Sequence, residues 1–433
     1  KKYLVMKRKI KNALISVSDK ENLKNLLIIL RKYKINIISS GGTYRSIKKL
    51  GFNCKEISEY TGFDEMLDGR VKTLHPKIHS GILFNRKKNS HKKQMKSKNF
   101  QAIDLVIVNF YPFKEILKKT SNNKKIIENI DIGGPSMVRA AAKNSKDVVI
   151  ITDKEDYSDF IREIKKHKGK TSLTFRERLA GKAFGLTAFY DSIIAEWYNQ
   201  KLGIKFPERK TFFGKKINQL RYGENPHQKS SIYINDLKND EINLKQLSGK
   251  DLSYNNYNDI FASLYLLNTL PTNKGVVIVK HANPSGVSIE KNKLKSYVSA
   301  MKCDPISAYG GIVSCNFKMN LKVAKEIYKN YYEVVIANDF DKESVELFRK
   351  KKNLRLIDSS NLIIKKHNKI ISGINSFLVQ SNDNLIFKKK NFKVVSKQKP
   401  TKKLFDQLIF SFNVCRSLKS NAVVITQNNK TMG

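Results

Sequence analysis

Residues 276–286 read Val-Val-Ile-Val-Lys-His-Ala-Asn-Pro-Ser-Gly, and this stretch indicates the fold class. Its four consecutive β-branched residues predict a buried strand. The strand pattern stops at Lys280 and His281, and the turn-forming residues 283–286 follow. Because open α/β sheets hold ligands at the carboxyl ends of their strands, we expect this Lys and His to lie in a functional crevice. A strand end with a solvated Lys and a hydrogen-bonded His is the alternative.

Strand and helix patterns alternate along the rest of the chain, which predicts an α/β fold with parallel strands. Strand patterns occupy residues 12–17, 35–38, 105–108, 148–151, 231–234, 307–314, 333–336 and 422–426. Capping boxes predict helix starts at Ser18-x-x-Glu21, Thr152-x-x-Glu155 and Thr174-x-x-Glu177, and a further helix is predicted from Asp259. A chain of 433 residues is too long to fold around one ordinary hydrophobic core. We therefore predict two or three domains and a boundary near residue 200.

The composition favours a globular cytoplasmic protein. Hydrophobic residues make up 40% of the chain, and no apolar run has the length that a membrane span needs. The first residues do not have the pattern of a secretory signal. The four cysteines are scattered without a C-x-x-C pair, which favours reduced thiols over disulfides or a structural zinc.

A formal net charge of +45 makes nucleic acid the first partner to consider. Most of the 83 basic residues are Lys, however, whereas base and phosphate recognition favours the Arg fork. No nucleic-acid-binding motif is present, and Lys, Asn and Ile share A/T-rich codons, so compositional drift is the favoured explanation. A Lys-rich nucleic-acid-binding module is an alternative that depends on charge alone.

Two short motifs have the residue types that bind anions. Residues 40–43 read Ser-Gly-Gly-Thr between a predicted strand and helix, where glycines and free N–H groups suit a phosphate. A tight turn explains these four residues equally well. Arg70, Lys72 and Thr73 precede Pro76, and their two cations and hydroxyl suit an anion or a developing oxyanion.

The spacing of His75 and His79 is found in some metal sites. No Cys or carboxylate is placed to complete such a site, and Pro76 disrupts the helical spacing. We therefore predict that no metal is bound.

An ordered set of longer motifs resembles the bifunctional purine biosynthesis proteins over essentially residues 12–433. The motifs of the first half are SVSDK at 16–20, SGGT at 40–43, TGFDEM at 61–66, RVKTLHP at 70–76, NFYPF at 109–113, IDIGG at 130–134 and AAAKN at 140–144. Those of the second half are LRYGENPHQ at 220–228, GKDLSYNN at 249–256, KHANPSG at 280–286, DPISAYGG at 304–311 and SNA at 420–422.

The resemblance implies two domains and two consecutive reactions. An IMP cyclohydrolase domain is expected at 1–200, with a methylglyoxal-synthase-like parallel-sheet core at about 1–155. An AICAR transformylase domain of cytidine-deaminase-like α/β fold is expected at 201–433, incomplete at its C-terminus because the family continues further. In the first reaction 10-formyltetrahydrofolate formylates AICAR, and in the second formyl-AICAR loses water and closes to IMP.

The resemblance also implies a homodimer, and metal, nucleic acid and membrane are not expected as partners. A protein with cyclohydrolase activity alone is the alternative, if the incomplete transformylase half is inactive.

Ring closure needs a phosphate anchor, oxyanion stabilisation and a proton relay. By similarity the nucleotide would be held by Ser18, Asp19, Lys20, Ser40, Gly41, Gly42, Thr43, Arg70, Thr73 and Asn109. The catalytic residues implied for this reaction are Lys72, Tyr111, Asp131 and Lys143. A helix-end cation stabilised by the helix dipole is the alternative for Lys143.

Formyl transfer needs proton removal from a weak amine, which suits His281, and stabilisation of a tetrahedral oxyanion, which suits Lys280. By similarity the ribotide would contact Arg221, Tyr222, Gly310, Glu333, Lys352 and Asn421. Zinc-dependent deamination is not expected, because His281 is not followed by x-Glu and no P-C-x-x-C occurs.

Overall fold

The computed structural model describes residues 7–364, 368–381, 383 and 387–433. Contacts within the chain group the residues into two compact units. Unit 1 comprises Lys1–Gly214 and Asn235–Lys238, and unit 2 comprises Lys215–Ile234 and Asn239–Gly433. The boundary that we predict near residue 200 falls inside a helix of unit 1, Leu173–Leu202.

Short apolar strands form the centre of unit 1. The strands are β1 (Arg8–Lys9), β2 (Asn12–Ser16), β3 (Asn36–Ser39), β4 (Lys55–Glu56), β5 (Leu105–Val108), β6 (Val149–Ile151) and β7 (Lys170–Thr171). Within the described residues, five of them form a sheet in the order β4-β3-β2-β5-β6, and all neighbouring pairs are parallel. The predicted α/β class with an N-terminal parallel sheet is therefore confirmed. β5 and β6 are buried throughout, which is typical of a parallel sheet covered on both faces.

Helices follow nearly every strand of unit 1. They are α1 (Leu23–Lys32), α2 (Gly41–Lys49), α3 (Ile57–Thr61), α4 (Pro76–Leu83), α5 (Asn89–Ser97), α6 (Phe113–Lys119), α7 (Asn123–Glu128), α8 (Gly133–Lys143), α9 (Tyr157–Lys166) and α10 (Leu173–Leu202). α1 buries Leu23, Leu26, Leu27 and Leu30, a helical spacing that directs one face to the core.

The three predicted capping boxes of unit 1 are wrong in position. α1 begins at Leu23 after Asn22, and the hydroxyl of Ser18 is used elsewhere, in a bond to Asn109. Asp153 caps a short 3-10 turn in place of Thr152, and Ser172 caps α10 in place of Thr174. In the last two cases a nearby residue makes the contact that the pattern predicted, whereas the side chain of Asn22 makes no capping hydrogen bond to α1.

Unit 2 has a mixed sheet and two separate hairpins. Its strands are β8 (Lys215–Leu220), β9 (Ser230–Ile234), β10 (Lys245–Ser248), β11 (Gly275–Lys280), β12 (Asn283–Ile289), β13 (Ile312–Cys315), β14 (Val334–Ala337), β15 (Arg355–Asp358), β16 (Asn368–Gly373), β17 (Ser376–Ser381), β18 (Thr426–Gln427) and β19 (Lys430–Thr431). In the described residues the sheet order is β10-β15-β14-β13-β11-β12-β19-β18, while β8–β9 and β16–β17 pair separately. Among the described strands of this sheet, the neighbouring pairs β13–β14 and β14–β15 are parallel, and the other neighbouring pairs are antiparallel.

Both faces of this sheet are covered. The helices of unit 2 are α11 (Tyr254–Leu267), α12 (Lys293–Met301), α13 (Pro305–Ala308), α14 (Leu321–Tyr328), α15 (Lys342–Arg349) and α16 (Lys402–Cys415). Alternate residues of β11 enter two different cores: Val276 and Ile278 belong to one apolar cluster, Val277 and Val279 to the other. This explains why β11 is an uninterrupted apolar run.

Several predicted elements of unit 2 need correction. The strand predicted at 307–314 is the helix α13 followed by β13, and only Thr426 of the strand predicted at 422–426 is in a strand. The helix predicted from Asp259 begins earlier, at Tyr254. None of the helices in the described part of the chain combines the length and apolarity of a membrane crossing.

A fully buried arginine joins three segments of unit 1. The Arg176 guanidinium, on α10, donates to the carbonyl oxygens of Ser145 (2.8 Å), Lys146 (3.0 Å) and Thr171 (2.6 Å). Burial lowers the pKa of Arg176 to about 10. These bonds connect the first turns of α10 to the end of α8 and to β7.

Replacing Arg176 with Met should lower the free energy of unfolding of unit 1 by about 3–5 kcal/mol, because buried carbonyl groups lose their donor. Trp197, the single tryptophan and a buried residue of α10, reports this transition by fluorescence during urea unfolding. Arg178→Met is the matched control, because Arg178 is an exposed residue of the same helix that pairs with Asp159 at 3.1 Å. Equal urea midpoints for the two variants would contradict the role given to Arg176.

Candidate active sites

In unit 1 the residues after β2 are tied to the end of β5 through Asn109. Its side-chain oxygen accepts hydrogen bonds from the N–H of Ser18 (2.6 Å), the hydroxyl of Ser18 (2.9 Å) and the N–H of Asp19 (3.3 Å). The hydrogen bond from Lys154 to the Asp19 carboxylate (2.8 Å) lowers the pKa of Asp19. Because β2 and β5 are adjacent and parallel, these residues lie at the carboxyl edge of the sheet.

The start of α2 lies at the same edge. Thr43 Oγ1 accepts a hydrogen bond from the N–H of Val17 (3.0 Å) and donates to its carbonyl oxygen (2.9 Å). Ser40 precedes the helix, and Gly41 has a φ of +50°, a left-handed conformation that favours glycine. The first turn of a helix presents N–H groups that have no intrahelical partner, and these groups suit an anion.

Two ammonium groups approach the start of α2. Lys72 Nζ lies 3.2 Å from the position that a Cβ of Gly41 would occupy, and Lys20 Nζ lies 4.0 Å from the same position at Gly42. Lys72 pairs with the carboxylate of Glu65, a residue that the sequence did not indicate. The positive end of the helix dipole and the two cations together favour a bound anion.

A second cluster lies at the start of α8. The Asp131 carboxylate accepts a hydrogen bond from the N–H of Gly134 (2.8 Å) and another from the backbone of Tyr111, and burial raises the pKa of Asp131. Thr73 Oγ1 lies against Gly133, where any side chain would collide with it. Because Thr73 directly follows Lys72, the starts of α2 and α8 both face this short segment.

Of the predicted residues of unit 1, Lys143 lies apart from these clusters. Lys143 is the exposed last residue of α8, about 15 Å along the helix axis from Gly133. Its neighbour Asn144 donates to the carbonyl oxygen of Ile82 (2.7 Å), near the far end of α4. Arg70 is exposed and pairs with Glu128.

His75 and His79 of this region have the environments of residues that stabilise the fold. His75 Nδ1 accepts the N–H of Lys77 (3.1 Å) and caps α4, and burial lowers the pKa of His79. Across residues 7–364 and the other described ranges, no group of three or more His, Cys, Asp and Glu side chains is placed to hold a metal ion.

In unit 2 Lys280 and His281 lie at a tight hairpin. β11 ends at Lys280, β12 begins at Asn283, and these two residues pair across the ladder. His281 and Ala282 form the turn, with φ values of +55° and +58°. Positive φ at both central residues is the property of a type I′ turn. The turn predicted at residues 283–286 is therefore wrong, because those residues belong to β12.

The ladder of unit 2 places Lys280 at the amino ends of three parallel strands. Val279 pairs with Ile312 in the antiparallel sense, and Ile312 and Val334 then pair in parallel, as do Val334 and Arg355. Lys280 thus lies at the carboxyl end of β11, as expected, but at the amino ends of the neighbouring strands. The reason is that β11 runs against them.

Two glycines shape this edge before β13. A Cβ on Gly311 would lie 2.7 Å from the carbonyl oxygen of Val279, so only glycine allows the two backbones to approach. Gly310 has a φ of +74°. Next to them, Lys280 Nζ donates to the carbonyl oxygen of Tyr309 (2.9 Å), which directs its ammonium group along the edge.

Glu333 lies at the same edge in a network of polar side chains. Asn256 Nδ2 donates to Glu333 Oε2 (2.8 Å), and Arg355 Nη1 lies 3.5 Å from the same oxygen. Asn256 ends the GKDLSYNN motif at 249–256, but neither Asn256 nor Arg355 is among the site residues predicted from the sequence. A capping box with Ser253 places Asn256 in the first turn of α11.

The connection between β8 and β9 carries Arg221 and Tyr222. The Arg221 guanidinium carbon lies 5.6 Å from the centre of the Tyr222 ring. In the same connection, the carbonyl oxygen of Glu224 accepts a hydrogen bond from Asn255 (3.2 Å) at the start of α11. Arg221 and Tyr222 are therefore linked to the helix that holds Glu333.

Asp259 is a further residue that sequence reasoning missed as part of the site. Its Oδ1 accepts the N–H of Ala282 (2.7 Å), and burial raises the pKa of Asp259. It follows Asn256 by three residues, so the i,i+3 spacing on α11 could have indicated two polar groups on one face.

The remaining two predicted residues are exposed. Lys352 precedes β15, and Asn421 follows α16. Within the described residues, neither of them makes a hydrogen bond to Lys280 or Glu333.

Comparisons with known proteins confirm the resemblance of the motifs. A family model described as the AICARFT/IMPCHase bienzyme matches residues 141–433, and one described as an MGS-like domain matches residues 22–136. Bifunctional purine biosynthesis protein PurH of Thermoanaerobacter sp. (strain X514) is 45% identical over 98% of this chain and 83% of that protein. The protein of the same name from Leptospira biflexa serovar Patoc is 43% identical over 98% of this chain and 82% of its own length.

Among solved structures, the crystal structure of ForH is 31% identical with a TM-score of 0.40, over 44% of this chain and 99% of that chain. The two family models and the relatives identify the same protein family. The chain belongs to the AICARFT/IMPCHase bienzyme family.

Proposed function

We propose that this chain catalyses the last two steps of purine biosynthesis. The first is formyl transfer from 10-formyltetrahydrofolate to AICAR, and the second is dehydrative closure of formyl-AICAR to IMP. Membership of the family supports both activities. The observation that carries the proposal is that each unit has, at one edge of its sheet, a set of groups suited to one reaction.

For ring closure, the nucleotide phosphate binds at the start of α2. The helix N–H groups, Lys72 and Lys20 supply the positive charge that a phosphate dianion needs. Ser18 and Asn109 lie beside it at the end of β2 and β5. This arrangement fixes the phosphate and leaves the base to extend toward the start of α8.

The reacting groups of ring closure then lie near Asp131 and Thr73. The carboxamide nitrogen attacks the formyl carbon, a C–N bond forms, and the former formyl oxygen leaves as water. Asp131 is anchored by backbone N–H groups and its pKa is raised by burial, so it suits a group that accepts and returns a proton. The hydroxyl of Thr73 and the exposed side chain of Tyr111 are placed to bond the oxygen that develops negative charge.

For formyl transfer, the AICAR amine attacks the formyl carbon of the folate cosubstrate near Lys280 and His281. The imidazole of His281 is exposed at the tip of the hairpin and accepts the amine proton. The Lys280 ammonium stabilises the tetrahedral oxyanion, which collapses as the bond between the formyl carbon and the folate nitrogen breaks. Tetrahydrofolate leaves with the proton that His281 returns to that nitrogen. Glu333, with Arg221 and Tyr222 on the connection tied to α11, holds the ribotide, and Gly310, Lys352 and Asn421 remain predicted contacts.

A homodimer is part of the same proposal. The resemblance implies it, and exposed apolar side chains of the β16–β17 hairpin support it. These are Ile370, Ile371, Ile374, Phe377 and Leu378. Exposed apolar side chains in this number often mark a protein interface.

Lys72→Ala should lower kcat/KM for closure of formyl-AICAR about 10- to 100-fold, because one charged hydrogen bond to phosphate contributes about 1.5–3 kcal/mol. Steady-state formation of IMP measures this loss, and formyl transfer by the same preparation should be unchanged. Lys92→Ala, at an exposed position of α5, is the control. Closure at the wild-type rate in Lys72→Ala would refute the phosphate position.

Lys143 remains the catalytic lysine that the resemblance predicts, although it lies at the other end of α8. If it takes part in proton transfer, Lys143→Ala should slow closure about 10²- to 10⁴-fold in single turnover, since general acid–base groups contribute that much. Lys146→Ala, three residues further on, is the control. A wild-type rate in Lys143→Ala would restrict the catalytic set to the groups around Asp131.

His281→Ala should slow formyl transfer about 10²- to 10⁴-fold, because the amine loses its proton acceptor. Closure of added formyl-AICAR should keep its wild-type rate, since its groups lie in unit 1. Both rates are measured on one preparation, and an unchanged KM for AICAR in the residual transfer reports that unit 2 is folded. Formyl transfer at the wild-type rate would remove His281 from the mechanism.

A further inference from the structure

The two-residue turn that carries His281 has an unfavourable backbone conformation. His281 and Ala282 both have left-handed φ values, +55° and +58°. For residues with a Cβ this conformation costs about 1–2 kcal/mol each, and type I′ turns normally use Asn-Gly or Gly-Gly instead. Some other contact must therefore stabilise the turn in this chain.

That contact is the carboxylate of Asp259. Its Oδ1 accepts the N–H of Ala282 at 2.7 Å, in the middle of the turn. A hydrogen bond to a charged group contributes about 1.5–3 kcal/mol, which is comparable to the cost of a left-handed residue. The carboxylate is half-buried, so water competes with this amide less than it would at the surface.

The same helix also fixes the opposite side of the edge. Asn256 lies one turn before Asp259 on α11 and donates to Glu333 at 2.8 Å. α11 thus sets the distance between the His281 turn and the Glu333 carboxylate. The Lys280 ammonium is held separately, by the carbonyl oxygen of Tyr309.

We infer that Asp259 is a positioning residue for formyl transfer, which holds the His281–Ala282 turn in the strained conformation that presents the imidazole to the substrate amine. This inference depends on the proposed function, because it takes His281 as the proton acceptor. Asp259 itself is not a catalytic residue, since its carboxylate is occupied by the backbone of the turn.

The inference predicts a change in kcat with little change in KM. Without Asp259 the turn leaves the left-handed conformation for much of the time, so fewer enzyme molecules have His281 in place. The contacts of Glu333 with Asn256 and Arg355 do not involve Asp259, so ribotide binding is maintained. Ring closure in unit 1 uses none of these groups.

Asp259→Ala should lower kcat for formyl transfer about 10- to 100-fold with KM for AICAR within about twofold, from the loss of a charged hydrogen bond. Asp259→Asn keeps the shape and one acceptor oxygen and should lose less. Asn258→Ala, at the exposed neighbouring position, is the control and should have wild-type rates. Ring closure measured on each preparation reports that unit 1 is folded, and an unchanged KM for AICAR in formyl transfer reports the same for unit 2.

The substitution Ala282→Gly tests whether Asp259 acts by stabilising the turn or by stabilising α11. Ala282→Gly allows the left-handed conformation without a Cβ, so adding it to Asp259→Ala should restore kcat about 5- to 30-fold. Failure of Ala282→Gly to restore any activity would overturn the inference, as would a kcat within twofold of wild type in Asp259→Ala. If Asp259→Ala loses both activities, Asp259→Asn decides, and an unchanged kcat there overturns the inference.

His281→Ala distinguishes this inference from the proposed function. Retained formyl transfer in His281→Ala would contradict the proposed function. Lost transfer in His281→Ala together with retained transfer in Asp259→Ala would contradict only the positioning role.

Discussion

The backbone of β11 approaches that of the chain before β13 so closely that only glycine fits between them. A Cβ on Gly311 would lie 2.7 Å from the carbonyl oxygen of Val279, inside the normal contact distance. Any side chain there would push the two strands apart at the point where Lys280 follows. Lys280 ends β11 and Glu333 precedes β14, so the distance between them is set across β11, β13 and β14. The geometry proposed for formyl transfer therefore depends on this contact. The close backbone contact defines this edge of the sheet, and the hairpin turn and α11 then position the side chains of His281 and Glu333 on it.

The sequence predicted the buried strands β2, β3, β5, β6, β11 and β14 because burial leaves a simple pattern, whereas β10, β12 and β15 were not predicted. The run at 276–279 is apolar throughout because its residues alternate between two cores. The turn beside it was misplaced because Pro284 and Gly286 have turn propensity but lie in a strand. The register of β11 and β12 shifts between Ile278 and Val279, and proline is tolerated at such a bulge. Cross-strand register depends on both strands, so local turn chemistry cannot reveal it.

The candidate sites were predicted less completely, and for a related reason. Motifs indicated Lys72, Asp131 and Lys280 by residue type and neighbours along the chain. The groups that complete these sites come from other segments, as Asn256 does for Glu333 and Asp259 for the turn at Ala282, and a single sequence does not show which distant residues meet. The position of Lys143, in contrast, follows from a single helix and needs no knowledge of distant contacts. Once α8 is known to run from Gly133 to Lys143, the rise per residue alone separates the two ends.

The Glu65–Lys72 pair has a consequence for how unit 1 would take up its nucleotide. The Lys72 ammonium is partly shielded from water and is already paired with the Glu65 carboxylate. A phosphate that enters would therefore displace this carboxylate. Binding is then an exchange of anions, and its strength reflects the difference between a dianion at the helix start and a monoanion returned to solvent. At the proposed phosphate site an uncharged nucleoside would leave the Glu65–Lys72 pair in place, so selectivity for phosphorylated substrates is expected.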